Sequence, residues 1–586
     1  MRPHHRTAGL LLALVAIVFG VFFNTLEAGF LRWDDDINVF ENPHVQGLTA
    51  ANLRWMFTDF EQAIRYKPLS WLAWALVYEC FGLNSFGYHL ANVLLHCVNS
   101  VLVFLLLRRL LQLSAQANPA PAAILKPQTS DLKSPFSPDS CAALGTLIWA
   151  VHPLRVEPVA WVTGLPYGLS LLFLLLATLS YLRAHSPGLA APQQRQAYWL
   201  SVGIFALAVL AYPIVLGFVA ALLALDFYPL RRWTSFTELR RMIWEKIPFL
   251  ALSLLLVAGT VYGRFHVTGT WDKPVTLDNF PPFARAMQAG YLWAYYAWKP
   301  LVPLNLCPVY PLLMESRFTE PVFVLSAVAV VMTTATLFAK RLSWPGAFAL
   351  WLAHLGLLVP MLGLTERPHY SHDRYSIIDG ILWSVAMTGV LWQLAQKRVR
   401  PAGLLAGGVA VTMLLAVMSW RQTAIWHRDL TFFSDMAAKL RSPHYRSQAL
   451  LKIGNAHADL EDDAAAVASY RDALALSPSS ATFQLHYNLG NALARLAQWN
   501  DAAISFEAAL RLKPDHAGAH LNYGIAASAQ GNLPRAIEHL LRAVELQPNS
   551  AEAHAQLAEA FTKQGKPDLA REHAAAAERL KAQTKP

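Results

Sequence analysis

Apolar runs of roughly 16 to 24 residues, long enough to cross a bilayer's hydrocarbon core, recur from residue 8 to residue 417. Short polar breaks separate them, and no such run follows Trp420. The pattern predicts a polytopic bundle of membrane helices over residues 1–420 and a water-soluble unit after it. Spans are expected at 7–23, 86–107, 141–157, 158–182, 198–211, 212–229, 247–263, 322–339, 345–363, 376–395 and 401–419, about eleven in all. The stretch 286–302, "AMQAGYLWAYYAWKPLV", is ambiguous and fits a tilted, re-entrant or interfacial helix. Residues 112–139 are rich in Pro and Ser and read as a disordered cytoplasmic loop.

Beyond 420 the period changes. A connecting helical segment over 421–446 leads into 447–586, where Gly490 and Gly524 are followed at the same interval by Ala558. Ala502, Ala536 and Ala570 keep that register, as do Ala509, Ala543 and Ala577, while Pro514 and Pro548 close two units. An earlier, degenerate unit holds Gly454, Ala466, Tyr470, Ala473 and Pro478. A 34-residue period with small residues at helix crossings and Pro at the exit is the tetratricopeptide signature, here in about four repeats. One helix pair cannot bury its apolar face alone, so neighbouring pairs stack into a solenoid with a concave groove. That groove is expected to bind a peptide or protein. His486, His520 and His554 share the interval, but equivalent positions lie about one helix diameter, ~10 Å, apart. No single ion bridges that distance, and these histidines are read as packing residues.

Charge sets the direction of threading. Basic residues crowd alternate short loops, at Arg2 and Arg6, Arg108 and Arg109, Arg183, Arg231 and Arg232, Lys340 and Arg341, and Lys397 to Arg400. Basic loops stay on the cytoplasmic side, so the N-terminus is expected inside. An odd number of spans then carries the repeats to the outer face. The net charge of +10 follows this alternation, which argues against a nucleic-acid partner. Cys80, Cys97, Cys141 and Cys307 are scattered and indicate neither a disulfide framework nor a zinc site. The opening "MRPHHR" and its apolar run lack a small-residue cleavage site and are read as an uncleaved first span.

Candidate chemistry gathers on the outer face. "FLRWDDDINVFENPHV" brings Asp34, Asp35 and Asp36 out just beyond the first span, and Lys67 follows in "YKPLSWLAW". His89, Asn92, His96 and Asn99 form one stripe of the next helix, which should face the bundle interior. The stripe is read either as functional, for His89 and Asn92, or as helix–helix hydrogen bonding, above all for Asn99. "HPLRVEP" adds His152, Arg155 and Glu157; "ERPHYSHDRYS" adds Glu366, Arg367, His369, His372, Asp373 and Arg374. Carboxylates, histidines and arginines on one membrane face suit a reaction in which a carboxylate acts as base and cations hold a lipid-linked phosphate leaving group. Salt-bridged loop ends are the competing reading.

The motifs "WDDDINVFENPHV", "KPLSWLAWALVYECFGLNSFGYHLANVLLHCVNS", "HPLRVEPVAWV", "LDFYPL", "HDRYS" and "WRQTAIWHRDLTFF" occur in this order ahead of the repeats. From residue 8 to residue 580 the chain resembles bacterial members of the transmembrane-and-tetratricopeptide-repeat family, whose animal members are protein O-mannosyltransferases. The resemblance implies an all-α GT-C fold and inverting transfer of a sugar from a polyprenyl-phosphate donor to an acceptor. It implies a multi-pass protein of the bacterial inner membrane, with the repeats and their protein partner in the periplasm. The family's paired acidic motif falls on Asp34 and Asp35, either of which would be the general base. Lys67, His89, His152, Arg155, Glu157, His372, Asp373 and Arg374 become the expected donor-phosphate or substrate-binding set. No cofactor is required, although Asp34 and Asp35 are the carboxylates a divalent ion would use. The chain departs from the family at 163–170, "TGLPYGLS", where bacterial relatives carry a charged run. It departs again at Ala211–Tyr212–Pro213, where they place a Lys before the Pro. A catalytically degenerate scaffold that assembles an envelope or polysaccharide-export complex is therefore the alternative. A transporter is disfavoured, since no paired broken-helix repeats are visible.

Overall fold

The computed structural model describes residues 3–59, 66–117, 137–266, 276–310, 319–364, 371–396 and 401–583. Among these residues the chain is helical, with one isolated bridge between Tyr310 and Ser371. It divides into two compact units, Met1–Arg428 and Asp429–Pro586. The connecting segment expected at 421–446 is split by that boundary, and its helix Asp429–Lys439 belongs to the repeat unit.

Seven helices among the described residues are long and apolar enough to cross a membrane: Thr7–Glu27, Ser85–Gln116, Val162–Ala184, Phe236–Tyr262, Pro321–Ala339, Asp373–Gln396 and Ala402–His427. Of the other four expected spans, 198–211 lies within one unbroken helix, and 141–157, 212–229 and 345–363 are shorter helices joined to tight turns. Helix Pro138–Ala150 gives way to a tight turn at Pro153–Arg155, and helix Ala191–Ala211 to one at Pro213–Val215. Helix Phe218–Phe227 follows, and helix Pro345–Leu357 gives way to a turn at Val359–Met361. Proline lacks the amide hydrogen that continues a helix and restricts the residue before it, so Pro153 and Pro360 each break a span read as continuous, and Pro213 falls at the expected boundary between two spans. The ambiguous stretch at 286–302 is helix Pro282–Trp298, packed through Tyr291 on Phe323 with ring centroids 5.2 Å apart. Residues 112–117 complete the helix Ser85–Ala117 and Ser137 caps the helix Pro138–Ala150, so both ends of the expected 112–139 loop are helical; residues 118–136 lie outside the described residues, as do Glu366, Arg367 and His369.

Polar side chains at membrane depth bind main chain on neighbouring segments. Asn92 donates to the Trp161 carbonyl at 2.7 Å and Asn99 to that of Gly168 at 2.9 Å, while His96 meets the Ala150 carbonyl at 2.8 Å. In "LDFYPL", the buried Asp226 accepts from Tyr181 at 2.8 Å, from Lys246 at 2.6 Å and from Arg232 at 3.0 Å. That carboxylate joins three helices.

In the second unit, helix Asp429–Lys439 precedes four helical pairs: Pro443–Asp459 with Asp463–Leu476, Phe483–Arg495 with Trp499–Leu512, Ala517–Ala529 with Leu533–Leu546, and Ala551–Lys563 with Pro567–Gln583. In the first three pairs the helices touch at a glycine. A Cβ on Gly490 would lie 2.6 Å from the Phe506 ring, and one on Gly524 2.6 Å from Leu540. The large side chain occupies the volume that the glycine leaves, and both Phe506 and Leu540 are fully buried.

Candidate functional site

Residues 28–59 and 66–81 contribute Val39, Val45, Met56, Trp71 and Trp74 to a small core shared with Tyr88, Val162 and Leu165. The turns of these segments are set locally. The Asn42 side chain accepts from the His44 amide at 3.0 Å ahead of the turn Pro43–Val45, and Thr49 caps helix Ala50–Thr58 through the Asn52 amide. Both are short polar side chains satisfying amides that a helix start leaves free.

Within the first of these segments the aspartates part company. Asp34 has φ +72°, a left-handed conformation that costs a non-glycine residue roughly 1–2 kcal/mol. Asn38 holds it there, since both its amide and its side chain donate to the Asp34 carbonyl, at 3.1 and 2.8 Å. The turn leaves Asp34 exposed and sends Asp35 inward, to 0% exposure. Asp35 Oδ2 accepts from the Leu31 amide at 2.9 Å, and Oδ1 accepts from the Thr163 amide at 3.0 Å and the Thr163 hydroxyl at 2.6 Å. Burial pushes its carboxyl up to about 7 against the downward pull of these three donors. Thr163 is presented by a turn that needs Gly164, where a Cβ would lie 2.4 Å from the Pro158 carbonyl oxygen.

Asp34, Lys67, Trp161, Thr163 and Arg374 line one cavity of about 600 Å³. Arg374 enters it pinned: its amide donates to Glu157 Oε2 at 2.7 Å, its guanidinium pairs with Glu157 Oε1, and its Nε donates to the Tyr167 hydroxyl at 2.9 Å. The guanidinium also lies 5.2 Å from the Trp161 ring. Tyr167 meets Tyr212 hydroxyl to hydroxyl at 3.1 Å. Lys67 donates to Asn38 at 2.7 Å and stands 4.8 Å over Trp74. The facing wall is aromatic: His44 stacks on Trp55 with centroids 4.4 Å apart and planes 10° apart, and Trp55 meets Trp71 at 4.8 Å. The cavity therefore combines an exposed carboxylate, two fixed cations and flat apolar faces.

The ten expected site residues lie at different depths in the structure. Of the ten candidates, only Asp34, Lys67 and Arg374 line the cavity. Glu157 stands behind Arg374, and Asp35 beneath Thr163. His89 is a brace to the Gly29 carbonyl at 3.3 Å, and His152 one to the Pro300 carbonyl at 3.0 Å. Arg155 is spent on Ser376, donating to its carbonyl at 2.7 Å and its hydroxyl at 2.6 Å. His372 meets the Pro308 carbonyl at 2.7 Å, and Asp373 accepts from Tyr310 at 3.0 Å. These five are buried on backbone or side-chain partners and do not line the cavity. Among the described residues no group of three or more His, Cys, Asp or Glu is placed to hold a metal ion, and the Asp35 carboxylate is committed to Leu31 and Thr163. The sequence reading missed His44, Trp55, Trp71, Trp161, Tyr167 and Tyr212. Some of them sit inside the quoted motifs "ENPHV", "KPLSW" and "VEPVAWV", where only the charged letters drew notice.

Helices and repeats together define an all-α, multi-pass membrane protein with a tetratricopeptide-repeat unit. Residues 447–480, 487–551 and 524–583 match profiles described as tetratricopeptide repeat. The chain is similar to proteins named Protein O-mannosyl-transferase Tmtc. It is 28% identical over 332 residues to the Protein O-mannosyl-transferase Tmtc3 of Drosophila melanogaster, covering 49% of this chain and 34% of that protein. It is 34% identical over 186 residues to Protein O-mannosyl-transferase Tmtc1 of the same fly, covering 30% and 19%. With the human Protein O-mannosyl-transferase TMTC4 it shares 26% identity over 333 residues, 51% of this chain and 42% of that one. The matched stretches thus span less than half of each relative. Among solved structures, "MamA 41-end from Desulfovibrio magneticus RS-1" is 25% identical with a TM-score of 0.25, over 27% of this chain and 86% of that one.

Proposed function

We propose that the protein is a membrane glycosyltransferase that moves a sugar from a polyprenyl-phosphate donor to a hydroxyl of a protein acceptor, with inversion. The observation that carries this reading is the joint placement of Asp34, Lys67 and Arg374 on one cavity with an aromatic wall. A neutral Ser or Thr hydroxyl is a poor nucleophile, and Asp34 is the exposed carboxylate that takes its proton as it attacks the anomeric carbon. The bond to the lipid phosphate breaks, and Lys67 and Arg374 neutralise the charge that gathers on the departing oxygen. Flat faces at His44, Trp55 and Trp71 offer a platform for the C–H face of a sugar ring. Asp35 is a positioning residue that fixes the turn presenting Asp34. The names of the relatives support a transferase, and the family resemblance supports placing the cavity and the repeats on the periplasmic face of a bacterial inner membrane. The repeats would then recruit the acceptor.

A second reading, an inactive scaffold, is favoured by one feature: 163–170 and 211–213 bring Thr163, Tyr167 and Tyr212, all uncharged, to the cavity where the family resemblance leads one to expect charges. Sugar transfer separates the two readings. Full-length protein in vesicles is given polyprenyl-phosphate sugars and a periplasmic protein extract, and labelled glycan on protein is counted. Wild type should transfer and Asp34→Asn should lose about 100-fold or more, the usual weight of a general base. Undiminished transfer by Asp34→Asn removes it as the base, and no transfer by wild type with any donor favours the scaffold.

A further inference from the structure

The repeat unit carries a pair of side-chain arrangements that neither its packing nor the cavity uses. His520 and His554 occupy equivalent places on the first helices of consecutive pairs, and each faces a histidine on the second helix of its own pair. Nδ1 of His520 lies 2.9 Å from Nδ1 of His539, and Nδ1 of His554 lies 3.0 Å from Nδ1 of His573. The other ring nitrogens are anchored alike: Nε2 of His520 is 2.8 Å from the Pro514 carbonyl oxygen, and Nε2 of His554 is 3.2 Å from that of Pro548. A carbonyl only accepts, so Nε2 carries the proton in both. The neutral ring then turns the Nδ1 lone pair toward its partner. A backbone carbonyl on the far nitrogen is also the device that fixes the tautomer and ring orientation of metal-ligating histidines. The second ring of each pair is steadied by an aromatic neighbour, Tyr523 at 4.1 Å from His539 and Phe561 stacked at 5.7 Å on His573.

We propose that each pair is a two-histidine site for a borderline divalent transition metal, Zn²⁺, Ni²⁺ or Cu²⁺. Imidazole nitrogens suit these ions, and two of them bound at about 2.0–2.1 Å sit about 2.9–3.4 Å apart as the angle opens from square to tetrahedral. The observed separations fall at the closer end of that range. Without metal the second histidine donates its Nδ1 proton to the first. On binding, that proton passes to the same ring's Nε2, a small rotation brings both lone pairs onto the ion, and no net proton is released. Among the described residues no third protein ligand completes either site, so water or a group on a bound partner fills the remaining positions. Two such sites one repeat apart would set metal-held partner groups along the solenoid.

The protein contains its own control. His486 takes the same place one repeat earlier, but the residue at the position of His539 and His573 is Ser505. Full-length protein in detergent is dialysed against Zn²⁺ at neutral pH and the bound ions are counted. His539→Gln and His573→Gln should each lose one ion relative to wild type, the double variant two, and His486→Gln none. His520→Gln should lose the same ion as His539→Gln from the opposite helix. Zn²⁺ should also raise the melting temperature of the wild-type repeat unit, because an ion bound only by the folded form stabilises it, and this rise should vanish in the double variant. Circular dichroism without zinc checks that the variants fold, and the wild-type melting shift needs no variant at all. An unchanged ion count in the double variant, or no zinc-dependent shift in wild type, overturns the proposal.

Discussion

Between Asp34 and Asp35 the backbone passes through a left-handed residue, and this turn gives two adjacent carboxylates opposite surroundings. Asp34 meets the cavity, while Asp35 ties Leu31 to Thr163. The pair was legible as acidic chemistry at a membrane face. Its division was not, because the φ of Asp34 depends on Asn38 four residues on and the burial of Asp35 on Thr163 far along the chain. The same division makes a pH prediction. The Asp35 carboxyl titrates near 7 in the folded protein against an ordinary 3.8, so between those values the folded loop keeps a proton that the opened loop releases. Its contribution to stability is therefore full below about pH 4, falls as pH rises toward 7, and is flat above. Hydrogen-exchange protection of the Leu31 and Thr163 amides should decline across that window in wild type and lose the slope in Asp35→Asn. A constant wild-type value would mean that Asp35 stays ionised throughout. Glu157 makes the complementary case. It is 2% exposed and holds Arg374 by two groups, so Glu157→Ala leaves a buried guanidinium unpaired and should cost about 3–5 kcal/mol. A melting shift no larger than that of a surface variant would deny the pair this role.

Helices were easier to foresee than their ends. Hydrophobic runs located the seven long helices, since length and composition alone mark them, whereas the breaks at Pro153 and Pro360 lay within runs that looked continuous. In the repeats the sequence carried more, because size is paired across each helix hairpin at a spacing of 16 residues. Gly454 faces Tyr470, Gly490 faces Phe506 and Gly524 faces Leu540; in the last unit Ala558 is matched by Ala574, where no large side chain claims the space. The pairing predicts coupled energetics. Phe506→Ala should destabilise the repeat unit by about 3–5 kcal/mol, and Gly490→Ala alone by about 1–3 kcal/mol through overpacking. The double variant should be more stable than the sum of the singles, because the added methyl enters the vacated ring volume. Strict additivity in urea melts would show that the two positions do not share that volume.

At the scale of the molecule, the chain is two compact units with different solvents, one with its apolar helices fit for lipid and the other a stack of amphipathic pairs in water. Each has its own core, and unfolding is expected in two transitions, with Phe506→Ala lowering only that of the repeat unit. This separation allows the proposed division of labour to be tested by kinetics. Under that proposal the chemistry would belong to the cavity, and recruitment would belong to the repeats, which would meet the acceptor away from its reacting atom. Binding made equally in ground and transition states lowers KM and leaves kcat alone. With a folded protein acceptor, loosening the repeats by Phe506→Ala near their melting temperature should therefore raise KM several-fold at unchanged kcat. With a short hydroxyl-bearing peptide that cannot reach the repeats, neither constant should move. A parallel fall in kcat for both acceptors would instead tie the repeat unit to the chemistry of the cavity. Equal constants throughout would leave the repeats to a partner other than the acceptor.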